Sequence, residues 1–342
     1  MNPHRKKEAG LFAVGCLNTS GKFRAVRHPS LSDGIAGNIR SMKKAVVTGG
    51  AGFIGSNLVA ALIDAGWDTH IVDRDPSFRR ATLPKAATLH EVDTRHTDVI
   101  QKVFTGADVV FHTAAVPRVQ YSVEHPVETT DENITGTVSV LTAAVSAKVR
   151  RVVYSASGSA YGEQKVLPLT ETMPANPVNP YGLQKYVGEL FAKLWYHTYG
   201  LETVSLRYFN VYGPGLDPNG AYALAIGRFL MARKNGTPIT IYGDGTITRD
   251  FTHVSDVVRA NLLAAVSPNV GKGEVINAGA GRNVTIKALA DMFGGEIIYG
   301  PPRIEAHDSQ SDSRKAKELL GWEPKVNLED GIAELKKLFG VS

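Results

Sequence analysis

A tyrosine and a lysine four residues apart form a pair that could do acid–base chemistry. The spacing places the phenol of Tyr181 and the ammonium of Lys185 on one face of a helix. A free tyrosine has a pKa of about 10 and is a poor base at neutral pH, but a nearby ammonium favours the phenolate. Taken singly, the pattern is common by chance and describes an exposed helical pair. Its position favours catalysis, because it opens a helix that follows a strand ending in serines.

Those serines stand at the carboxyl end of the preceding strand. The carboxyl ends of parallel strands are where such sheets bind ligands. A hydroxyl at Ser157 could bridge a substrate oxygen and the phenol of Tyr181, and so relay the proton. For Ser155 and Ser159 we expect only the capping of a turn. The predicted catalytic residues are therefore Ser157, Tyr181 and Lys185.

A glycine-rich loop near residue 50 predicts a site for a dinucleotide pyrophosphate. Gly49, Gly52 and Gly55 follow a G-x-x-G-x-x-G pattern between a predicted strand and a predicted helix that begins with Phe53 and Ile54. The first glycine allows a tight turn, the second lets backbone N–H groups approach the anion, and the third lets the helix pack on the sheet. A glycine loop alone is a weak signal. Here strand, loop, helix and a following acid occur in the order that supports cofactor binding over a purely structural turn.

Acidic residues after the second and third strands bear on which dinucleotide binds. Asp73 lies 18 residues beyond Gly55, where a carboxylate accepts hydrogen bonds from a ribose diol and repels a 2′-phosphate. Arg74 instead favours NADP, because its guanidinium could move toward a 2′-phosphate. Asp93 either contacts the adenine edge or is a solvated loop acid. We expect NAD.

Alternating strands and helices must position these residues. Short apolar, β-branched runs predict strands at 44–48, 69–72, 89–92, 109–111, 151–154, 203–206 and 238–241. Periodic apolar residues predict helices at 53–65, near 95–103, at 127–147 and 181–197, near 222–234, and at 255–266, 285–293, 314–320 and 328–339. The fold class is α/β, a Rossmann-type doubly wound parallel sheet with a smaller C-terminal substrate-binding lobe.

The same pattern predicts a division of the chain. Residues 1–41 form a basic N-terminal extension that we expect to be disordered, although a transit peptide is the alternative because the segment is Arg-rich and acid-poor. Residues 42–208 form the NAD-binding domain, and residues 209–342 form mainly the substrate-binding lobe. Residues 250–278 return to the first domain.

Composition and charge exclude several classes of protein. The formal net charge is +5 over 342 residues, but seven Lys or Arg and only two acids lie in residues 1–41, so the remainder is formally neutral. A nucleic-acid partner is therefore not expected. No apolar run reaches the ~18 residues of a membrane span, so no membrane partner is expected. A single cysteine, Cys16, excludes an internal disulfide and predicts a cytoplasmic protein. We expect no metal.

The motifs together resemble those of the extended short-chain dehydrogenases that modify nucleotide sugars, most closely the UDP-hexose 4-epimerases. The resemblance runs from about residue 43 to 338 and rests on TGGAGFIGS (48–56), HTAA (112–115), YSASGSAYG (154–162), YGLQK (181–185), RYFNVYGP (207–214), GDGTITRDFTHVSD (243–256) and LGWEP (320–324). It implies catalysis by Ser157, Tyr181 and Lys185, cofactor contacts at Ala114 and Ala115, and a homodimer. That dimer would form through the predicted helices near 95–103 and 127–147, or 181–197.

The resemblance also implies a set of substrate-binding residues. Asn210 would lie beside the phosphates, and Arg249 and Arg303 would pair with the diphosphate. Ser309 falls where the family has a residue beside the sugar's 2-position, and a small residue there leaves room for an N-acetyl group. Where the family has Pro-Gly-Asp, this chain has Ile-Glu-Ala, in which Glu305 could replace the ribose-binding aspartate.

Two further positions separate the activities within that family. Related 4,6-dehydratases carry Asp and Glu after the catalytic serine, and UDP-glucuronate decarboxylases tend to carry Glu at the second position. Gly158 and Ser159 stand there in this chain, so the resemblance implies that dehydration is excluded, and Ser159 also speaks against decarboxylation.

The resemblance therefore implies an isomerase, an NAD-dependent 4-epimerase of UDP-hexoses. Its substrates would be UDP-glucose and UDP-galactose, with room for their N-acetylated counterparts. In this mechanism Tyr181 removes the 4-hydroxyl proton, directly or through Ser157, while hydride passes to NAD and back through a 4-keto intermediate. The alternatives are a UDP-uronate epimerase, a nucleotide-sugar dehydrogenase, a non-catalytic NAD-binding regulator and a structural binding protein.

Overall fold

A computed structural model describes residues 43–77, 79–218, 225–302 and 308–341 of the chain. The predicted N-terminal extension 1–41 and the predicted site residues Arg303 and Glu305 lie outside the described residues.

The described chain contains the following strands and helices. The strands are β1 (Lys44–Thr48), β2 (Asp68–Asp73), β3 (Thr88–Glu91), β4 (Ala107–His112), β5 (Arg151–Ser157), β6 (Glu202–Tyr208), β7 (Ile239–Tyr242), β8 (Thr248–Asp250), β9 (Lys272–Ala278), β10 (Asn283–Thr285) and β11 (Ile297–Gly300). The helices are α1 (Phe53–Asp64), α2 (Thr97–Phe104), α3 (Val119–Glu124), α4 (Pro126–Thr130), α5 (Gly136–Ser146), α6 (Pro180–Tyr199), α7 (Ala225–Asn235), α8 (Val254–Val266), α9 (Ile286–Phe293), α10 (Arg314–Leu320) and α11 (Leu328–Phe339).

A seven-stranded sheet in which every pair of neighbours is parallel forms the centre of the fold. Its order is β3-β2-β1-β4-β5-β6-β9. The strand order reverses between β1 and β4, and in such sheets a crevice opens at that point, outside the carboxyl ends of the strands. This arrangement confirms the predicted α/β class with a doubly wound parallel sheet.

Helices cover both faces of the sheet because its strands are apolar on both sides. On one face Val47 packs with Leu58 of α1 and Val257 of α8. On the other face Val46 packs with Phe104 of α2. All of these side chains are fully buried, which explains why the strands read as continuous apolar runs.

A second apolar cluster lies in the C-terminal part of the chain. Phe229 of α7, Leu289 of α9 and Ile332 of α11 are buried there together with the apolar residues of β7. Two small sheets accompany the cluster: β7 pairs with β11 in parallel, and β8 pairs with β10 in antiparallel. Among the described residues, no helix combines the length and apolar character needed to span a bilayer.

The segment predicted as one helix over 127–147 is not a uniform α-helix. A π-turn at Asp131–Thr135 separates α4 from α5, while the backbone stays right-handed helical at Thr130 and Gly136. The buried amide of Asn133 lies in this turn, where its Oδ1 accepts the N–H of Val116 at 2.7 Å and its Nδ2 donates to the Val116 carbonyl at 3.1 Å. A tertiary contact therefore accompanies the widened turn, and helical periodicity does not reveal it.

Candidate active site

The glycine loop is packed so tightly that two of its positions have no room for a side chain. Gly49 has φ +68°, and its N–H donates to the Val72 carbonyl at 2.7 Å. A Cβ at Gly49 would stand 2.7 Å from the backbone of Ala114. A Cβ at Gly55 would overlap the Gly49 carbonyl oxygen. The loop therefore lies against the end of β4, and α1 begins directly above it.

Within the described part of the chain, the start of α1 has no side-chain cap for its backbone N–H donors. Gly52 is the N-cap residue and provides no capping side chain, and the first turn, which begins with Phe53 and Ile54, contains no acid. The unpaired N–H groups of a helix N-terminus and its dipole favour an anion. Together with the close approach of the glycines, this end of α1 fits a dinucleotide pyrophosphate.

Asp73, at the end of β2, lies beside the glycine loop. Its Oδ2 accepts the N–H of Ala51 at 3.0 Å, and its Oδ1 accepts the N–H of Asp75 at 3.1 Å. Burial raises the pKa of Asp73, against the effect of these two hydrogen bonds. The carboxylate is thus fixed beside the glycine loop, where we expect a ribose.

Asp93 belongs to an ion-pair cluster at the next strand end. Arg95 donates to it from Nε at 3.0 Å and from Nη2 at 2.6 Å. These hydrogen bonds lower the pKa of Asp93 to about 2. Arg74 lies 3.6 Å from the same carboxylate and pairs with Glu132. Asp93 is therefore an ion-paired, partly exposed carboxylate, and its contact with an adenine edge stays a prediction.

The serines at the end of β5 have roles that differ from those expected. The Oγ of Ser157 accepts the N–H of Ser159 at 3.1 Å, so Ser157 itself caps the short 3₁₀ turn that follows the strand. Ser155 is buried, and its Oγ lies 3.1 Å from the Tyr208 hydroxyl. The prediction that Ser155 caps a turn is therefore wrong. As an acceptor from Ser159, the Ser157 hydroxyl keeps its own proton to donate.

The first turn of α6 is fixed from two sides. Asn179 caps the helix, and its Oδ1 accepts the N–H of Gly182 at 2.9 Å. The buried hydroxyl of Ser122 accepts the N–H of Tyr181 at 3.1 Å. A Cβ at Gly182 would stand 2.6 Å from the carbonyl oxygen of Ser159. The helix therefore starts against the serine turn, and Tyr181 lies beside it.

Lys185 lies one turn further along α6 and is buried. Its Nζ donates to the Ser155 carbonyl at 2.8 Å and lies 5.1 Å from the centre of the Tyr154 ring. Burial lowers the pKa of Lys185 to about 8, while the charge of Glu189 acts in the opposite direction. The structure thus brings the predicted serine, tyrosine and lysine to one end of β5.

Two supporting residues escaped the sequence analysis. Ser122 holds Tyr181, as described above. Asn133 donates to Gln184 on α6 at 2.7 Å, and so joins the π-turn to the catalytic helix. Asn133 ends a polar stretch over residues 128–133, and Ser122 looks like an ordinary surface serine, so no signal in the sequence distinguishes either residue.

The predicted substrate residues of the C-terminal part converge on residue 250. The Nδ2 of Asn210 donates to the Asp250 carbonyl at 2.9 Å, and the Asp250 N–H donates to the Ser309 hydroxyl at 3.3 Å. Arg249 precedes Asp250 on β8, and its Nη1 donates to the carbonyl of Thr248 at 2.8 Å. Within the described part of the chain, no cluster of three or more His, Cys, Asp or Glu could hold a metal ion.

Comparison with known proteins gives one consistent result. The model of the NAD-dependent epimerase/dehydratase family matches residues 45–279. The UDP-glucose 4-epimerase of Mycolicibacterium smegmatis is 35% identical over 310 residues, which cover 86% of this chain and 98% of that protein.

Solved structures of UDP-sugar 4-epimerases are also similar to this chain. The structure of UDP-glucose 4-epimerase from Thermotoga maritima with UDP-glucose has a TM-score of 0.82 and 38% identity, and the match covers 86% of this chain and 98% of that one. The UDP-N-acetylglucosamine 4-epimerase of Methanobrevibacter ruminantium, in complex with UDP-N-acetylmuramic acid, has a TM-score of 0.82 and 33% identity, with 87% and 98% covered.

Proposed function

This chain belongs to the NAD-dependent epimerase/dehydratase family, and on that basis we propose that it is an isomerase that interconverts UDP-glucose and UDP-galactose at C4 of the sugar. One observation carries the proposal. The first turn of α6 places Tyr181 against the serine turn of Ser157, while Lys185 is buried below them with its Nζ on the Ser155 carbonyl.

The cofactor assignment follows from the family and from the fit of the loop. Gly49, Gly52 and Gly55, with the N–H groups at the start of α1, would hold the pyrophosphate, and Asp73 would bind the adenosine ribose. The close approach of Ala114 to Gly49 places the end of β4 at the same crevice, with Ala115 beside it. NAD, when bound, supplies a carbon that accepts hydride from the sugar's C4 and returns it.

The proton steps belong to the chain's own side chains. Tyr181, as phenolate, takes the proton of the sugar's 4-hydroxyl, either directly or through the Ser157 hydroxyl. The Lys185 ammonium lowers the free energy of the phenolate by its positive charge. After the 4-keto sugar has turned over in the site, C4 receives hydride on its opposite face and Tyr181 gives the proton back to the same oxygen. Because hydride and proton both return to the sugar, no net oxidation occurs.

The residues around Asp250 would bind the nucleotide sugar. Asn210 and Arg249 are proposed to contact the diphosphate together with Arg303, which lies outside the described residues. Ser309 is proposed to lie beside the 2-position of the sugar. Because its side chain is small, we extend the proposal to UDP-N-acetylglucosamine and UDP-N-acetylgalactosamine, and the likeness to an epimerase of N-acetylated sugars supports this extension.

We also propose a homodimer formed through one apolar surface, here called the α6 face. It consists of the exposed side chains of Val123, Val127, Leu183, Leu190 and Leu194, whose exposed fractions run from 48% to 84%. The three leucines lie on one side of α6, and the two valines belong to the adjacent α3 and α4. An apolar group of this kind on helices is typical of a protein–protein contact. A cytoplasmic location is proposed from the single cysteine in 342 residues.

Incubation with single UDP-sugars tests the proposed reaction. The purified protein is given UDP-glucose, UDP-N-acetylglucosamine and UDP-glucuronate in separate incubations, and the products are followed by proton NMR. We expect the 4-epimers of the first two sugars to form without accumulation of NADH. Accumulating NADH would identify a dehydrogenase, conversion of UDP-glucuronate alone would identify a uronate epimerase, and no conversion of any nucleotide sugar would contradict the enzymatic assignment.

A further inference from the structure

Two neighbouring residues at the end of β2 favour different cofactors. The carboxylate of Asp73 binds the hydroxyls of a ribose and repels a 2′-phosphate. The guanidinium of Arg74 is a good partner for a phosphate, because it offers paired N–H donors and a permanent charge. The position of the arginine side chain therefore bears directly on whether NAD or NADP is preferred.

The structure engages that guanidinium elsewhere. Nη1 of Arg74 forms a short ion pair with Oε1 of Glu132 and lies 3.6 Å from Oδ2 of Asp93. The side chain of Glu132 is 11% exposed, whereas that of Arg74 is 46% exposed. The acid is thus the fixed partner and the arginine is the one with room to move.

Glu132 occupies this position because it lies on the π-turn Asp131–Thr135. The turn is attached to the Val116 backbone through Asn133, at 2.7 Å. The Glu132 carboxylate also receives Nη2 of Arg95 at 3.2 Å. It therefore bridges two arginines and is held by both the backbone turn and the second ion pair.

Among the described residues, the other acids that form ion pairs near Arg74 are already engaged by Arg95. Asp93 is the candidate, but Arg95 already donates to it at 2.6 Å and 3.0 Å. Asp131 pairs with Nη1 of Arg95 at 2.5 Å. Without the Glu132 carboxylate, Arg74 would be left with a single longer contact for which it competes with Arg95.

The net negative charge of the ion-pair cluster also disfavours a 2′-phosphate, and so favours NAD over NADP. Five carboxylates and two guanidiniums surround this end of the cofactor site, a formal charge of −3: Asp73, Asp75, Asp93, Asp131, Glu132, Arg74 and Arg95. A phosphate monoester brings a further charge of about −1.5 to −2 at neutral pH. Removal of one carboxylate would weaken the repulsion and release the arginine at the same time.

We propose that Glu132 is a residue that determines cofactor specificity: its ion pair keeps Arg74 from reaching a 2′-phosphate and so makes the site selective for NAD over NADP. This inference rests on the proposed function only through its cofactor, and it does not depend on which sugar is turned over.

Cofactor exchange in the holoenzyme tests the role of Glu132. Wild type and Glu132→Gln are dialysed to equilibrium against mixtures of NAD⁺ and NADP⁺, and the bound nucleotides are quantified. We expect the ratio of bound NADP to NAD to rise about tenfold in the variant, which corresponds to about 1.4 kcal/mol. The glutamine keeps the size of the side chain and removes its charge.

Two control variants separate the ion pair from general effects. Asp131→Asn removes a carboxylate from the same π-turn, but one that holds only Arg95, so the ratio should change less than about twofold. Arg74→Ala in the Glu132→Gln background should abolish the gain, because the released guanidinium is then absent. If the Gln variant fails to fold, Glu132→Asp shortens the reach of the carboxylate and tests the same release.

Each outcome decides the proposal. An unchanged ratio in a folded Glu132 variant overturns it, and so does a gain that persists without Arg74 or that Asp131→Asn reproduces. Wild-type protein that binds neither nucleotide would instead contradict the cofactor assignment itself.

Discussion

At the scale of single residues, the site combines one buried cation with one partly exposed phenol. Lys185 has lost most of its contact with water, and its Nζ has the Ser155 carbonyl as a hydrogen-bond partner. Burial of an ammonium is costly, so the fold accepts a loss of stability at this position. The buried charge serves the proposed catalysis, because it favours the ionised form of Tyr181.

The phenol of Tyr181 gives the most direct prediction at this scale. Tyr181→Phe should lower kcat by at least ~10²-fold, because the proton acceptor is removed. The main-chain N–H that binds Ser122 remains, so the thermal unfolding temperature should stay near that of the wild type. Tyr186→Phe on the same helix is the matched control and should keep its activity. Near-normal turnover of Tyr181→Phe would rule out the assigned role.

The lowered pKa of Lys185 predicts a pH dependence of stability. The folded protein releases the lysine proton at a pKa of about 8, whereas the unfolded chain releases it near 10.4. Between these values the unfolded state binds more protons, so the wild type should gain stability as the pH rises through this window, and the cost of burial should be fully present below pH ~8.

The comparison with Lys185→Met isolates this effect. The free energy of unfolding of wild type relative to the variant should rise between pH 8 and 10.4 by about 3 kcal/mol. Chemical denaturation at several pH values measures it. A difference that does not change with pH would contradict a lowered lysine pKa.

At the scale of secondary-structure elements, the N-terminus of α6 decides where Tyr181 lies. The cap by Asn179 and the contact of Gly182 with the serine turn fix the first helical turn. A cap of this kind stabilises a protein by about 1 kcal/mol. Here it also restricts the position of the phenol, so stability and catalysis depend on the same hydrogen bond.

Loss of the Asn179 cap should lower both the stability of the protein and its catalytic rate. Asn179→Ala is expected to lower the free energy of unfolding by about 1 kcal/mol and to reduce kcat, since the first turn can then fray. Asn327 is also an N-cap residue, on α11, but its side chain makes no capping hydrogen bond. Asn327→Ala is therefore the control and should change stability and kcat less. Equal effects of the two substitutions would speak against a specific role for the α6 cap.

The elements also show which parts of the fold the sequence could predict. The six strands up to residue 208, and the helices there other than α3, follow from strong patterns, because parallel strands are continuous apolar runs and the glycine loop marks one connection. Four strands after residue 242 were not predicted: β8, β9, β10 and β11. Strands β8 and β10 have only three residues each, which is too few to show a periodicity. The π-turn was missed because its contact, between Asn133 and Val116, joins segments that are distant in sequence.

The candidate site was predictable to a similar degree. Residue types and motifs gave Tyr181, Lys185 and the glycines, because their chemistry is tied to their position on an element. The cap made by Ser157 and the hydrogen bond of Ser155 to Tyr208 depend on side-chain directions at the end of β5. A sequence alone does not contain those directions.

At the scale of the whole molecule, the exposed apolar side chains are unevenly distributed. The α6 face groups five of them around the helix that carries Tyr181 and Lys185. A dimer through this face would cover the outer side of α6 while its inner side faces the site. Assembly would then stiffen the element that positions the phenol and ammonium.

A charge placed in the α6 face tests the dimer. Leu190→Lys should convert the dimer into a monomer, because a lysine cannot be buried in an apolar contact without a partner. Tyr299→Lys, at an exposed apolar residue on β11, is the control and should leave the mass unchanged. Sedimentation velocity measures both. A wild-type monomer, or a Leu190→Lys protein that stays dimeric, would contradict the proposed surface.

The last strand of the main sheet, β9, comes from a segment that lies beyond β7 and β8 in the chain. A polypeptide cut after Tyr208 would therefore leave the hydrogen-bonding groups of β6 bare along its outer side. Such a fragment would be prone to self-association through that open edge. The seven-stranded sheet takes strands from before β7 and after β8 in the chain, so a single crossover between these strands would break the sheet.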